Sequence, residues 1–491
     1  MAPPNLLFLF TDEQRYDTMG AYGNDRIQTP NLNRLADESI VFDRTYVSQP
    51  VCTPSRSTLL TGLYPHTNGC TANNIPLPED VPCLPEMLRD DYATAYHGKW
   101  HLGDEIFPQH GFQEWRSIED MYRGHYSPER DRSARSDYHH FLVENGFTPS
   151  NGATFGRAEA ARLPEEYSKP AFLAQEASRF IRENRDRPFV LFVNFLEPHM
   201  PFFGPRDDQH DPEDVALPDN FEAFPDATQP IMARMARLAY PEYGHSGLPL
   251  KTEADWRRLI ANYWGLCSLV DTYVGRILAT LEECALTDET IVVYTSDHGD
   301  MMGSHGLLAK CVMFEEAVRV PLLLRLPGRR SPARFTHGVS QVDLLPTLLD
   351  LMGQPIPDHL EGFSLRSAIE NEKNPPEEDV FIEWNGSNAS GAGRVLSKNP
   401  DELPEPFASV GTREELAASS SAPTRGIVTP DGWKFNWNAY GEHELYNLDE
   451  DPGETTNLAV RQDQRPRMRG LAERIQRWQD RVDDSVELPP L

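Results

Sequence analysis

Ile291-Val292-Val293-Tyr294-Thr295-Ser296-Asp297-His298-Gly299 is a short run of β-branched and aromatic side chains that stops at a hydroxyl, a carboxylate and an imidazole. A run of this kind with little polar alternation predicts a strand buried on both faces, as in a parallel sheet. The signature recurs three times. Leu6 to Phe10 ends at Thr11-Asp12, Ala93 to Tyr96 ends at His97-Gly98-Lys99, and Phe189 to Phe195 leads to Glu197-Pro198-His199. Helical patterns lie between these runs. Thr29-Pro30 opens one, with threonine as the cap and proline in the first turn. Leu259, Tyr263, Leu266, Val270, Tyr273, Val274, Ile277 and Leu281 recur at spacings of three and four, and Asp343 to Leu351 forms another helix closed by Gly353. This alternation predicts an α/β fold with a mainly parallel sheet covered by helices on both faces. Ligands of such sheets bind beyond the carboxyl ends of the strands. All four polar endings fall there, so they are expected to share one site.

Two stretches, 104–170 and 200–250, read as long loops rich in charge, aromatics and proline, and loops that long in a compact domain usually line a site. After about residue 375 the texture changes. Pro375-Pro376 and acidic residues form a linker, followed by a strand at Val380 to Trp384, a hairpin turning at Pro430-Asp431-Gly432, a strand at Glu444 to Leu448, and a charged helix from Arg465 to Val482. The expected organisation is a catalytic α/β domain over 1–375 and a smaller α+β domain with an antiparallel sheet over 376–491.

The chain has 491 residues, with 46 basic and 76 acidic side chains and a formal net charge of −30. So acidic a field excludes nucleic acid and anionic membrane as natural partners. An anionic substrate would need a pocket made locally positive against it. The six cysteines (52, 70, 83, 267, 284 and 311) show no metal-knuckle or disulfide spacing. The N-terminus has no basic leader and only the Leu6–Phe10 apolar run, and no run reaches membrane-spanning length. A cytoplasmic protein is expected.

The densest chemistry is Cys52-Thr53-Pro54-Ser55-Arg56, followed by Leu60-Thr61-Gly62. Placed at a helix N-terminus, residue 52 meets free N–H groups and a dipole that favour an anion, and Arg56 follows one turn on. A plain thiolate there would be activated, so a cysteine hydrolase is one reading; a buried structural cysteine is the other. Asp12 and Asp297-His298 supply two carboxylates and an imidazole at strand ends, a donor set for a divalent metal, although each alone would do for a helix cap or a turn. Gly98-Lys99-Trp100-His101-Leu102-Gly103, Pro198-His199-Met200-Pro201 and Lys310…Glu315…Arg319-Val320-Pro321 bring the cations that an anion pocket requires.

Taken together and in this order, these motifs resemble the type I sulfatases of the alkaline phosphatase superfamily. With the ending Glu444-Leu445-Tyr446-Asn447-Leu448…Asp451-Pro452-Gly453-Glu454, the resemblance covers nearly the whole chain. It implies an alkaline-phosphatase-like mixed sheet. It also implies that a maturation enzyme oxidises Cys52 to formylglycine. One divalent metal would be held by Asp12, Glu13, residue 52, Asp297 and His298, calcium first and manganese as its rival. Cys52, Arg56, Lys99, His101, His199 and Lys310 would form the catalytic set. Lys99 and Lys310 would neutralise sulfuryl oxygens, His199 would protonate the leaving group and His101 would serve as base. The substrate would be a small-molecule or sugar sulfate ester. Glu13 departs from the family's usual aspartate or glutamine, and Asp297-His298 stands where many sulfatases have Asp-Asn. Phosphonate monoester hydrolases share Asp-His, which makes such a hydrolase the nearest alternative, but they lack the Lys/His pair seen here at Lys99 and His101. A catalytically idle binding protein would require residue 52 to remain cysteine. Trp115, Tyr122, Tyr126 and Tyr138 are candidates either for stacking on substrate or for ordinary packing. The long loops and the C-terminal segment offer surface for a homo-oligomer.

Overall fold

In the computed structural model, which describes residues 3–386 and 391–491, twelve strands form among the described residues. They are β1 (Asn5–Asp12), β2 (Ile40–Tyr46), β3 (Ala93–Gly98), β4 (Glu114–Ser117), β5 (Phe189–Pro198), β6 (Thr290–Ser296), β7 (Arg319–Arg325), β8 (Ala333–Ser340), β9 (Val380–Trp384), β10 (Thr424–Val428), β11 (Trp433–Asn438) and β12 (Glu444–Asn447). The first eight make one sheet in the order β4-β3-β5-β1-β6-β7-β2-β8. β1 pairs in parallel with β5 and β6, so that Phe8 lies between Phe192 and Val293. β7 alone runs against its neighbours β6 and β2, which makes the sheet mixed.

The unbroken apolar runs follow from burial on both faces. Leu7 and Leu9 enter one core layer with Phe172, Leu173, Val270, Val274 and Ile277, contributed by the helices Lys169–Glu183 and Glu253–Glu283. Leu6, Phe8 and Phe10 enter the opposite layer with Leu59, Leu345, Leu348 and Leu349. The helix Glu253–Glu283 starts in a capping box, with Thr252 accepting from the Asp255 amide and Asp255 accepting from the Thr252 amide. The helix Pro30–Asp37 starts at Thr29 as expected, but the threonine side chain makes no cap bond. Asp271, from the long helix, accepts from the amides of Asn31 (3.3 Å) and Leu32 (2.7 Å) instead.

The last four strands form a separate antiparallel sheet in the order β12-β11-β10-β9. The helix Arg465–Arg481 lays Met468, Leu471, Ile475 and Trp478 against Ile427, Phe435 and Leu445 of that sheet. The hairpin turns at Gly432, whose left-handed φ of 77° requires glycine.

The two stretches expected to be loops contain regular elements. Residues 104–170 include β4 and the helix Asp137–Glu144, and residues 200–250 include the helix Ile231–Tyr243. In the latter, Met232, Met235, Ala236, Ala239 and Tyr240 are buried. The helical spacing is present in the sequence, but it is carried largely by alanine and methionine among arginines, which weakens the apolar contrast. Among the described residues, no helix is long and apolar enough to cross a membrane.

Candidate active site

Every residue of the helix Cys52–Thr61 is buried, although most of them are polar. Such a helix is stable only if its polar groups are satisfied from outside, and here the carboxyl edge of the sheet satisfies them. Ser55 Oγ donates to the Asp297 carbonyl and lies 3.0 Å from Gln341 Oε1. The fully buried Arg56 guanidinium donates to Asp297 Oδ2 (2.9 Å), Asp12 Oδ2 (2.9 Å), Asn194 Oδ1 (2.6 Å) and the Lys99 carbonyl (2.8 Å). Arg56 thus ties the ends of β1, β3, β5 and β6 to the helix that presents Cys52. Asp297 is held further by the amides of Glu13 (3.0 Å) and His298 (2.8 Å), which donate to Oδ1.

Cys52 Sγ lies 3.2 Å from His298 Nε2 and 3.7 Å from Asp12 Oδ1. His298 Nε2 is also 3.5 Å from Asp297 Oδ1 and 3.8 Å from Asp12 Oδ1. The other ring nitrogen, Nδ1, sits 2.9 Å from the Gly299 carbonyl, which can only accept. The proton therefore belongs on Nδ1, leaving Nε2 to face the carboxylates, where it can ligate a metal once deprotonated. Burial lowers the pKa of His298, but Asp297 and the Cys52 thiolate outweigh burial and raise it from 6.5 to about 9. Glu13 adjoins this group in a left-handed conformation (φ 71°), with Oε1 buried and unbonded among the described residues. Converging carboxylates, an imidazole nitrogen and an orphaned carboxylate oxygen fit a divalent cation.

Basic side chains ring the same point. Lys99 Nζ contacts Asp12 Oδ2, Lys310 Nζ lies 2.9 Å from Glu13 Oε2, and His199 Nε2 lies 3.3 Å from that oxygen. Burial works against the charge on both lysines, but Asp12 at Lys99, and the Cys52 thiolate and Glu13 at Lys310, hold them above the ordinary lysine value. Burial, then Lys310, push His199 well below the usual imidazole range; burial, then Lys99, do the same to His101. Both histidines are therefore neutral at pH 7. For Cys52, burial and Asp12 raise the thiol, but Lys310, Lys99 and His298 outweigh them and it ends below its ordinary value. Burial and Asp300 lift Glu13 to about 8 against the pull of Lys310.

His101 completes the group. Its carbonyl accepts from Thr53 Oγ1 (2.7 Å), its Nε2 lies 3.1 Å from Asn74 Oδ1, and its ring packs on Tyr122 with centroids 4.4 Å apart. The structure thus brings all the candidate residues, from Asp12 to Lys310, into one connected cluster. Of the four candidate aromatics, only Tyr122 reaches it. Trp115 packs among Tyr96, Trp100 and Phe112, Tyr126 against Phe107, and Tyr138 against Phe141 and Phe172.

Three supporting residues escaped the reading of the sequence. Asn194 is a lone amide in the apolar run of β5, a signal in itself. Glu105 accepts from the amides of Trp100 (2.9 Å) and His101 (2.7 Å), and so shapes the loop that carries Lys99. Asp300 accepts from the amides of Met302 (2.6 Å) and Ala309 (3.1 Å), and so folds the approach to Lys310. Nothing local in the sequence marks the last two.

The fold is shared with solved structures of low sequence identity. A phosphonate monoester hydrolase from Silicibacter pomeroyi superposes with a TM-score of 0.77 at 21% identity, over 98% of this chain and 96% of that one. The Sulfatase family model matches residues 4–354, and the chain belongs to that family of sulfate-ester hydrolases. Its relatives include an N-acetylglucosamine-6-O-sulfatase of Bacteroides thetaiotaomicron, 27% identical over 98% of this chain and 87% of that one. A choline-sulfatase of Rhizobium meliloti is 30% identical over 93% of this chain and 82% of that protein.

Proposed function

We propose that the chain cleaves a sulfate monoester of a small molecule or sugar, using formylglycine made from Cys52 and one divalent metal. The observation that carries this reading is the position of Cys52 at a helix N-terminus, 3.2 Å from His298 Nε2, with Asp12 on one side and Lys99 and Lys310 around it. Formylglycine would supply a nucleophilic geminal hydroxyl and, unlike serine, a second hydroxyl able to expel sulfate. Asp12, Asp297, His298 and residue 52, with Glu13 beside them, would hold the metal, whose positive charge would acidify a hydroxyl at that place. The oxygen donors favour calcium, and the imidazole keeps manganese as the rival.

The remaining steps belong to residues of the chain. Lys99 and Lys310 stay charged and neutralise the sulfuryl oxygens, resolving the conflict between an anionic substrate and a chain of net charge −30. Lys310 and His199 converge on Glu13 Oε2, which sets His199 to protonate the departing oxygen with the charge of Lys310 beside it. His101, also neutral, accepts the proton whose removal releases sulfate.

A phosphonate monoester hydrolase is the second reading, favoured by Asp297-His298. The placement of Lys99 on Asp12, with His101 beside it, favours the sulfate ester. The mass of the tryptic peptide Thr45–Arg56 from the native host tests the nucleophile: an aldehyde or its hydrate is expected, and an intact thiol would remove it. In an assay of sulfate release Cys52→Ser is expected to stall after one turnover, and steady turnover at the wild-type rate would sink this mechanism.

A further inference from the structure

Beside the reaction centre lies a group of charges that the chemistry above does not use. Arg157 donates through Nε to Glu119 Oε1 (2.7 Å) and through Nη2 to Glu119 Oε2 (2.5 Å) and the Tyr122 hydroxyl (2.8 Å). Lys169 Nζ donates to Glu119 Oε1 (2.7 Å). The third nitrogen of the guanidinium, Nη1, faces only His199 Nδ1 at 3.4 Å. That histidine nitrogen already lies 2.9 Å from the Met200 carbonyl and so carries a proton, which means it cannot accept from Arg157. Among the described residues, Nη1 is therefore a cationic donor with no acceptor, next to His199. The Tyr122 hydroxyl accepts from Arg157 and donates to nothing described, and its ring lies on His101. Two unused donors thus stand beside the two histidines of the site.

The charges do not cancel. Arg157 and Lys169 are set against one firm carboxylate, Glu119, which they hold far below the usual range despite its burial. The nearby Glu197 has a buried, unbonded Oε2, and burial lifts it to about 7, so it carries only part of a negative charge at neutral pH. The Arg157 side chain keeps 17% of its surface open, against 2% for Glu119, so the cation rather than the carboxylate faces outward.

We propose that Arg157 and Tyr122 form a subsite for a second oxyanion, a carboxylate or a sulfo group, on the alcohol portion of the ester. The proposal rests on the sulfate-ester reading and narrows its substrate class to doubly anionic esters. A charge-assisted hydrogen bond of this kind is worth about ten- to hundredfold in specificity.

The test compares kcat/KM for 3-sulfooxybenzoate, its methyl ester and the matching 3-sulfonate, in the wild type, Arg157→Gln and Tyr122→Phe. The wild type is expected to favour the two charged esters over the methyl ester by about tenfold or more. That preference should shrink as salt is added, collapse in Arg157→Gln and weaken in Tyr122→Phe. The salt series needs no variant and so survives any folding defect in Arg157→Gln. Equal wild-type rates on charged and uncharged esters would overturn the subsite. So would a loss in Arg157→Gln shared equally by all three, which would make Arg157 a prop for His199. No turnover of even the methyl ester by protein shown to carry formylglycine would defeat the sulfate-ester reading and the subsite with it.

Discussion

Asp297 shows how much one side chain holds at this site. It receives the Arg56 guanidinium and the amides of Glu13 and His298, and it stands 3.5 Å from His298 Nε2. Replacing it with asparagine leaves a fully buried arginine with one carboxylate fewer, a change that costs about 3–5 kcal/mol in comparable buried pairs. Asp297→Asn is therefore expected to lower stability by that order in urea unfolding and to reduce the metal retained after gel filtration, read by elemental analysis. The backbone around the site is held in unfavourable conformations as well. Glu13, His101, Ala309 and Cys311 all adopt positive φ, and the last two flank Lys310. Non-glycine residues in that region persist only where the surroundings impose it, and the amides held by Asp297, Glu105 and Asp300 are such impositions.

Among the elements, what matters is where each strand stops and how its chain leaves the sheet. β3 ends at Gly98, whose φ of 121° suits glycine alone, and a Cβ there would sit 1.9 Å from the Asn194 carbonyl of β5. That close approach lets the following residue, Lys99, turn in over the sheet edge to Asp12. Gly98→Ala is expected to cost about 3 kcal/mol or more from strain and overpacking, seen as a lowered midpoint of thermal unfolding or as insoluble protein. The strands and the long helix were legible because their apolar periods are strong. The helix Ile231–Tyr243 was not, because alanine and arginine blur its buried face. Residue spacing also could not reveal that Asp271 caps the helix Pro30–Asp37, since the two are joined only by folding.

Across the molecule, the antiparallel sheet is tied to the catalytic edge by buried charge. Lys434 of β11 lies 3.0 Å from Glu315 and 2.8 Å from Glu454, and Glu454 accepts from the Glu315 amide (2.6 Å). The C-terminal motif that holds Glu454 thus braces the segment following Lys310. Lys434→Met would leave two buried carboxylates without their cation, and a loss of about 3–5 kcal/mol is expected in denaturant unfolding. His66 makes a second tie, 2.5 Å from Glu383 of β9 and 2.9 Å from the Val482 carbonyl. Burial lowers its pKa, but the hydrogen bond to Glu383 and that residue's charge outweigh burial and raise it from 6.5 to about 9. Because the folded value is the higher one, the stabilisation is complete below pH 6.5 and is lost as the pH rises through about 9. His66→Gln is expected to flatten the fall in thermal midpoint across that window, and an unchanged slope would assign it to other groups.

The α/β alternation, the antiparallel C-terminal strands and the residue types of the site could all be read along the chain, because strand burial, helix periodicity and motif spacing are local properties. Which side chains meet was settled by folding alone. Arg56 reaches four strand ends, Glu105 and Asp300 shape the loops of Lys99 and Lys310, and Arg157 stands beside His199. Most of those contacts join residues far apart in the chain. Hydrogen bonds and charge interactions act over a few ångströms, so their partners are set by the folded geometry and leave no periodic trace in the sequence.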